Sequence, residues 1–110
     1  MTTAYVFAPA YTTMGTDEAP RLLDWIDSRL KAGATYLLID LQKVKQVTSS
    51  GLGTLMIARN RARRANSLLV LCSLSPSVQV CLERADMLDK FQIYADRHAF
   101  EQQINTLANG

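Results

Sequence analysis

Val47-Thr48-Ser49-Ser50-Gly51-Leu52-Gly53 is the stretch on which the reading of this 110-residue chain turns. It follows the apolar run Tyr36-Leu37-Leu38-Ile39-Asp40-Leu41 and precedes a run of helical character from Leu52 to about Ala65. Three small hydroxyl residues and two glycines therefore stand where the chain passes into a helix. Ser50 is the expected N-cap, its oxygen accepting a backbone N–H two or three residues on. Gly51 and Gly53 then open the first turn and, lacking side chains, let another group approach the backbone. The positive end of a helix beside exposed hydroxyls suits phosphate, bound or covalently attached. A cap and a tight turn without chemistry account for the same residues, so the pattern alone leaves both readings open.

Three familiar motifs fail at this stretch. The phosphate loop of nucleotide hydrolases needs a Gly-Lys pair, and no Lys follows Gly53. The dinucleotide fingerprint needs a third glycine where Met56 stands, and the hydrolase elbow around Ser49 needs Gly in place of Val47. The one histidine, His98, lies far along the chain, which leaves a serine nucleophile little choice of base. No catalytic residue is assigned.

Composition bounds the rest. With 48% hydrophobic and 20% charged residues the chain reads as an ordinary globular protein, sized for one domain over residues 1–110 and one core. The apolar runs are strand-sized, so no membrane insertion is expected. The N-terminus has neither a basic segment nor a long apolar stretch, and a cytoplasmic location is the expectation. A net charge of +2 selects no partner. The one basic cluster, Arg59, Arg61, Arg63 and Arg64, has no aromatic residues among it, which argues against a nucleic-acid platform. Cys72 and Cys81 both read as small buried apolar residues, and no other ligand sits at metal spacing, so neither metal nor cofactor is expected.

Taken in order, Ala4–Ala8 reads as a short strand and Pro9–Gly15 as loop. Thr16 or Asp17 caps a helix from Ala19 to Lys31, where Leu22, Leu23, Ile26 and Leu30 recur at helical spacing. Gly33 ends it. Tyr36–Leu41 reads as a strand covered on both faces, with Asp40 bonding a nearby loop, and Gln42–Gln46 as a polar connection. Leu68–Cys72 is a second buried strand. Ser75 caps a helix that carries Pro76 in its first turn and buries Val78, Cys81, Leu82 and Ala85. Phe91–Tyr94 is a last strand. Asp96 caps a final helix with Phe100, Ile104 and Leu107 on its apolar side. The regular alternation implies right-handed crossovers: an α/β fold with a mostly parallel sheet of about four strands and about four helices.

The run Leu38-Ile39-Asp40-Leu41, then Val44 to Val47, then Ser49-Ser50-Gly51-Leu52-Gly53 resembles the signature of STAS domains, whose best-known members are bacterial anti-sigma factor antagonists. Leu68–Leu74 followed by Ser75-Pro76-Ser77-Val78 is similar to that family's next strand and helix start, and Phe91-Gln92-Ile93-Tyr94 to its final strand. The resemblance spans about Thr16 to Ile104. It implies a small α/β domain without catalysis of its own. It also implies a junction serine phosphorylated by a partner kinase, often the anti-sigma factor itself, and restored by a phosphatase. The matching residue is Ser49, surrounded by Thr48, Ser50 and Gly51. The family usually has Asp immediately before the phosphorylated residue, where this chain has Thr48. It also usually begins with a two-stranded hairpin, where this chain shows one clear strand.

Two further readings stay open: a STAS subunit of a transporter or stress-signalling assembly without phosphorylation, and an enzyme with Ser49 as nucleophile. The enzyme lacks both a base and an oxyanion motif. On a helical wheel of about 100° per residue, Ala58, Ala62 and Ala65 share a side with Gly51 and Thr54, suited to close packing on a sheet. Leu52, Met56, Arg59 and Arg63 form a separate stripe, two apolar residues beside two arginines, and read as the partner-binding surface. A core position for Leu52 and Met56 is the alternative. Tyr5, Val6 and Phe7 in an edge strand without an outer neighbour point to a weak homodimer.

Overall fold

A computed structural model describes residues 2–109, with side chains through residue 104. Among the described residues ten principal elements follow one another: β1 (Ala4–Phe7), β2 (Thr13–Met14), α1 (Ala19–Lys31), β3 (Tyr36–Asp40), β4 (Gln46–Val47), α2 (Ser49–Arg64), β5 (Leu68–Cys72), α3 (Pro76–Arg84), β6 (Gln92–Tyr94) and α4 (Arg97–Asn109). Short 3-10 turns occupy Thr16–Glu18 and Leu88–Lys90. The expected α/β class and parallel sheet of four strands are both present.

The main sheet has the order β1-β3-β5-β6, and every pair in it is parallel. The strands step in one direction, so right-handed crossovers put α1, α2 and α3 on the same face. That face holds the larger apolar cluster: Leu37, Ile39, Leu69 and Leu71 from the sheet meet Leu22 and Ile26, Leu55 and Ala58, and Val78 and Leu82 from the three helices. On the other face, among the described residues, α4 alone lays Phe100 over Leu38, Val70 and Cys72. Both faces of β3 and β5 are thus covered, which is why each reads as a continuous apolar run. The side chain of Leu107 lies outside the described residues.

Helices α1, α2 and α3 end alike. Gly33, Asn66 and Asp86 take φ of 82°, 57° and 57°. The amide after each closes back on the helix: Ala34 N to Arg29 O, Ser67 N to Ala62 O at 2.8 Å, and Met87 N to Leu82 O at 2.9 Å. Gly33 ends α1 as expected. Asn and Asp serve at the other two ends because their short polar side chains tolerate the left-handed region.

The second sheet was not legible. The segment read as loop contains β2, and the polar connection runs into β4; Thr13–Met14 pairs in parallel with Gln46–Val47. Two-residue strands carry no alternation from which to be recognised. This small sheet matters because Val47 hands the chain directly to α2.

Other expectations need correction. β1 stops at Phe7 and β6 starts at Gln92. Neither Thr16 nor Asp17 caps α1: Gly15 N donates to Glu18 Oε1 at 2.8 Å, so the acid reaches back to close the turn. Cys81 is half-buried, since Val78 and Leu82 alone fill that side of α3. Ala65 and Ala85 are exposed, because each is already the C-cap of its helix.

Candidate functional site

The start of α2 is built from two segments distant in sequence. Thr48 N donates to Met14 O at 3.0 Å, tying the end of β4 to β2. Thr48 itself is the N-cap, with φ −78° and ψ 172°, and its Oγ1 accepts from Gly51 N at 3.2 Å. The same hydroxyl donates to Met14 O at 3.4 Å. The expectation that Ser50 caps this helix is therefore wrong by two residues. β4 holds Thr48 extended, the conformation a cap needs, and the helix begins at once with Ser49.

Ser49 and Ser50 are the first two residues of α2, and both are exposed. Among the described residues neither hydroxyl has a side-chain hydrogen bond, although Ser50 O accepts from Thr54 Oγ1 at 2.9 Å. Thr48 Oγ1 is engaged and half-buried, which removes it from the choice among the three hydroxyls. The cap argument does not remove Ser50. What separates Ser49 from Ser50 is direction: Ser49 lies two turns before Met56, on the Leu52 side, whereas Ser50 lies two turns before Ile57.

The two glycines do different work. A Cβ on Gly51 would lie 2.3 Å from Met14 O and 2.9 Å from Val47 Cγ1, so the close approach of β2 requires glycine there. Among the described residues a Cβ on Gly53 would meet nothing within 4 Å. Gly53, one turn beyond Ser49, leaves a bare patch of helix beside the serine.

Gly51, Thr54, Leu55, Ala58 and Ala62 form the buried side of α2. Leu55 was missed, although it falls within the stripe of small residues. Leu52 and Met56 are half-buried, packed against the main core on one side and open on the other. Arg59 Nε donates to Lys90 O at 2.6 Å, which lays the arginine toward the β6 edge. Arg63 is exposed. Arg59 and Arg63 line an open groove of about 310 Å³ whose wall includes Leu68, Lys90 and Phe91. On the opposite flank of α2, Arg61 Nη1 bonds Asp27 Oδ2 of α1 at 2.8 Å. Ile57 is 45% exposed, an apolar residue on the free face of α2 that the wheel reading did not single out.

Asp40 is buried and doubly bonded: Oδ1 accepts from Gln42 N at 3.1 Å and Oδ2 from Arg97 Nε at 2.6 Å. The expected loop bond is present, with an ion pair to α4 beside it. His98 is exposed in the first turn of α4. Among the described residues no group of three His, Cys, Asp or Glu could hold a metal ion, and no helix is long and apolar enough to cross a membrane.

This architecture, with its helix start packed against a two-stranded ladder, can be compared with known proteins. The family model for the STAS domain matches residues 13–100. The chain belongs to the STAS family. The match takes in β2, the Thr48–Gly53 junction and the start of α4, and stops short of β1. No curated protein sequence matches this STAS chain.

Solved structures share its fold at low identity. The anti-sigma factor antagonist SpoIIAA, in its unphosphorylated form, matches with a TM-score of 0.77 and 11% identity over 96% of this chain and 91% of that one. A sulfate transporter family protein from Wolinella succinogenes gives 0.86 and 12%, covering 97% and 88%. An anti-sigma-factor antagonist (STAS) domain protein from Planctomyces limnophilus gives 0.70 and 20%, covering 82% and 79%.

Proposed function

We propose that this STAS domain is a regulatory binding module of partner-switching signalling, of the anti-sigma factor antagonist kind, controlled by reversible phosphorylation of Ser49. It acts by binding rather than catalysis, in the cytoplasm. Its partners are an anti-sigma factor or serine kinase-like regulator, and a phosphatase. The observation that carries the reading is the placement of Ser49. It is an exposed first-turn hydroxyl, flanked by the bare Gly53, at the head of the stripe formed by Leu52, Met56, Arg59 and Arg63.

A phosphate on Ser49 would carry about −1.5 to −2 charges at the positive end of α2. The domain therefore tolerates it without rearrangement. The effect falls on the partner, which must desolvate that charge next to Leu52. The apolar pair and the arginines call for a partner surface that is itself apolar with acidic residues at its margin.

Titration calorimetry against the isolated partner tests the switch. Ser49→Ala is expected to bind like the unphosphorylated parent, and Ser49→Asp and the phosphorylated parent at least about tenfold more weakly. Ser50→Ala and Ser50→Asp should both bind like the parent. Equal affinities across the Ser49 series would remove the switch; an effect at Ser50 alone would move it by one residue.

One observation favours a second reading, a non-phosphorylated STAS subunit of a transporter or stress-signalling assembly. The residue before Ser49 is Thr48, committed to the cap, where the family usually has a carboxylate. Mass spectrometry of the protein from its own cells separates the two readings: an unmodified Ser49 under every growth condition favours the scaffold.

A further inference from the structure

Strand β1 is an outer strand of the main sheet, and among the described residues nothing pairs with its outer edge. Its backbone groups can be sorted. Tyr36 N donates to Thr3 O at 3.0 Å, so Thr3 faces β3. In a parallel ladder alternate residues bond the neighbour, so Tyr5 and Phe7 also face inward. The N–H and C=O of Ala4, Val6 and Ala8 then point outward.

The two edges of the sheet are protected differently. β6 has three residues, with Asp89 and Lys90 before it and Asp96 and Arg97 after it, the charged, short edge that discourages pairing. Residues 2–8 around β1 carry no charge and no proline. Val6 is 39% exposed.

We propose that β1 pairs antiparallel with β1 of a second copy, about a two-fold axis at Val6, joining two sheets into one of eight strands. This register matches Val6 with Val6 and Ala4 with Ala8, so all the outward groups are used in hydrogen-bonded pairs. The side chains fit the same axis. Phe7 packs in a tilted pair against Trp25 of α1 with centroids 5.2 Å apart, and Arg29 lies 4.8 Å from the centre of the Tyr5 ring. Tyr5 and Arg29 thus share one level, and Phe7 and Trp25 the next. A two-fold at Val6, between these levels, brings Tyr5 beside Phe7 of the second copy and Arg29 toward its Trp25. Arg29 meets an aromatic ring there rather than a like charge, a favourable cation–π partner. The partner-binding stripe of α2 leans toward β6 and stays free in this dimer.

Sedimentation equilibrium between about 10 µM and about 1 mM tests the pairing. The parent should show a monomer–dimer equilibrium. Val6→Pro removes an outward N–H and leaves the β3 ladder intact, so it should keep the far-UV spectrum and weaken association at least tenfold. A parent that stays monomeric throughout, as it would if the edge serves a different protein, overturns the proposal. So does a folded Val6→Pro that dimerises like the parent. Should Val6→Pro fail to fold, cross-linking decides. Hydrogen-bonded antiparallel partners have Cα atoms about 5.5 Å apart, within disulfide range. In a Cys81→Ser background, Val6→Cys should oxidise to a covalent dimer at least tenfold faster than Ile93→Cys on the β6 edge, and equal rates refute the pairing.

Discussion

The carbonyl oxygen of Met14 lies against the Cα of Gly51, so close that a Cβ there would be 2.3 Å from it. The oxygen belongs to β2 and already accepts the Thr48 amide, so it cannot retreat without opening the β2–β4 ladder. Gly51→Ala should therefore destabilise the domain by about 1–3 kcal/mol, the usual cost of overpacking. Gly53→Ala has open space and should stabilise it by about 0.5–1 kcal/mol through helix propensity. Urea denaturation of the two variants checks both signs. If both stabilise, β2 does not hold α2 as described.

Thr48 contributes the cap, and Asp is an equally good cap. Thr48→Ala should cost about 1 kcal/mol, while Thr48→Asp keeps the cap, gives up the long hydroxyl bond to Met14 O, and should cost less than Thr48→Ala. Under the phosphorylation reading Thr48→Asp also raises the rate at which the kinase modifies Ser49. Thermal melts and single-turnover phosphorylation measure the two effects separately.

Lysine substitutions on α2 distinguish the half-buried stripe from the exposed face. Met56→Lys keeps the fold, because a lysine stem can follow the apolar edge and release its charge to water, and should weaken the partner at least about tenfold. Ile57→Lys should be neutral for stability within about 0.5 kcal/mol. Loss of cooperative unfolding in Met56→Lys would place Met56 in the core and move the partner surface toward Ile57.

The Asp40–Arg97 pair joins the end of β3 to the first turn of α4, with Asp40 5% exposed and Arg97 47%. Removing the arginine leaves a buried carboxylate held by one amide. Arg97→Leu should cost about 1–3 kcal/mol, and the double variant Arg97→Leu with Asp40→Asn should recover part of it. Equal stability of Arg97→Leu and the parent would mean that α4 is held by its apolar contacts, Phe100 and Ile104, without help from the ion pair.

Burial pushes the Cys72 thiol up from its ordinary value of 9.0 to about 11. The folded chain then holds that proton longer than the unfolded chain. Stability should fall as pH rises from about 9 towards about 11. At pH 8, iodoacetamide should label half-buried Cys81 first and Cys72 only as the domain unfolds.

Much of this was written in local pattern. α1 has the expected limits because its apolar spacing, its N-terminal acids and Gly33 all agree. β3 and β5 announce themselves as apolar runs, since both faces of each are covered. Ser75 and Asp96 cap α3 and α4, accepting from Val78 N at 3.3 Å and Ala99 N at 2.8 Å. The periods of helix and buried strand, together with turn chemistry, are properties of neighbouring residues, so the chain order suffices to determine them.

What tertiary structure decided is the start of α2. Three hydroxyl residues in a row are equivalent to a rule about caps. Thr48 is chosen because β4, paired to β2 across more than thirty residues of chain, ends at Val47 and presents Thr48 extended beside Met14. The contrast between Gly51 and Gly53 has the same origin: one meets a distant carbonyl and the other meets space. The open edge of β1 likewise depends on which strand lies outermost. Such facts are set by long-range pairing, which no local spacing encodes.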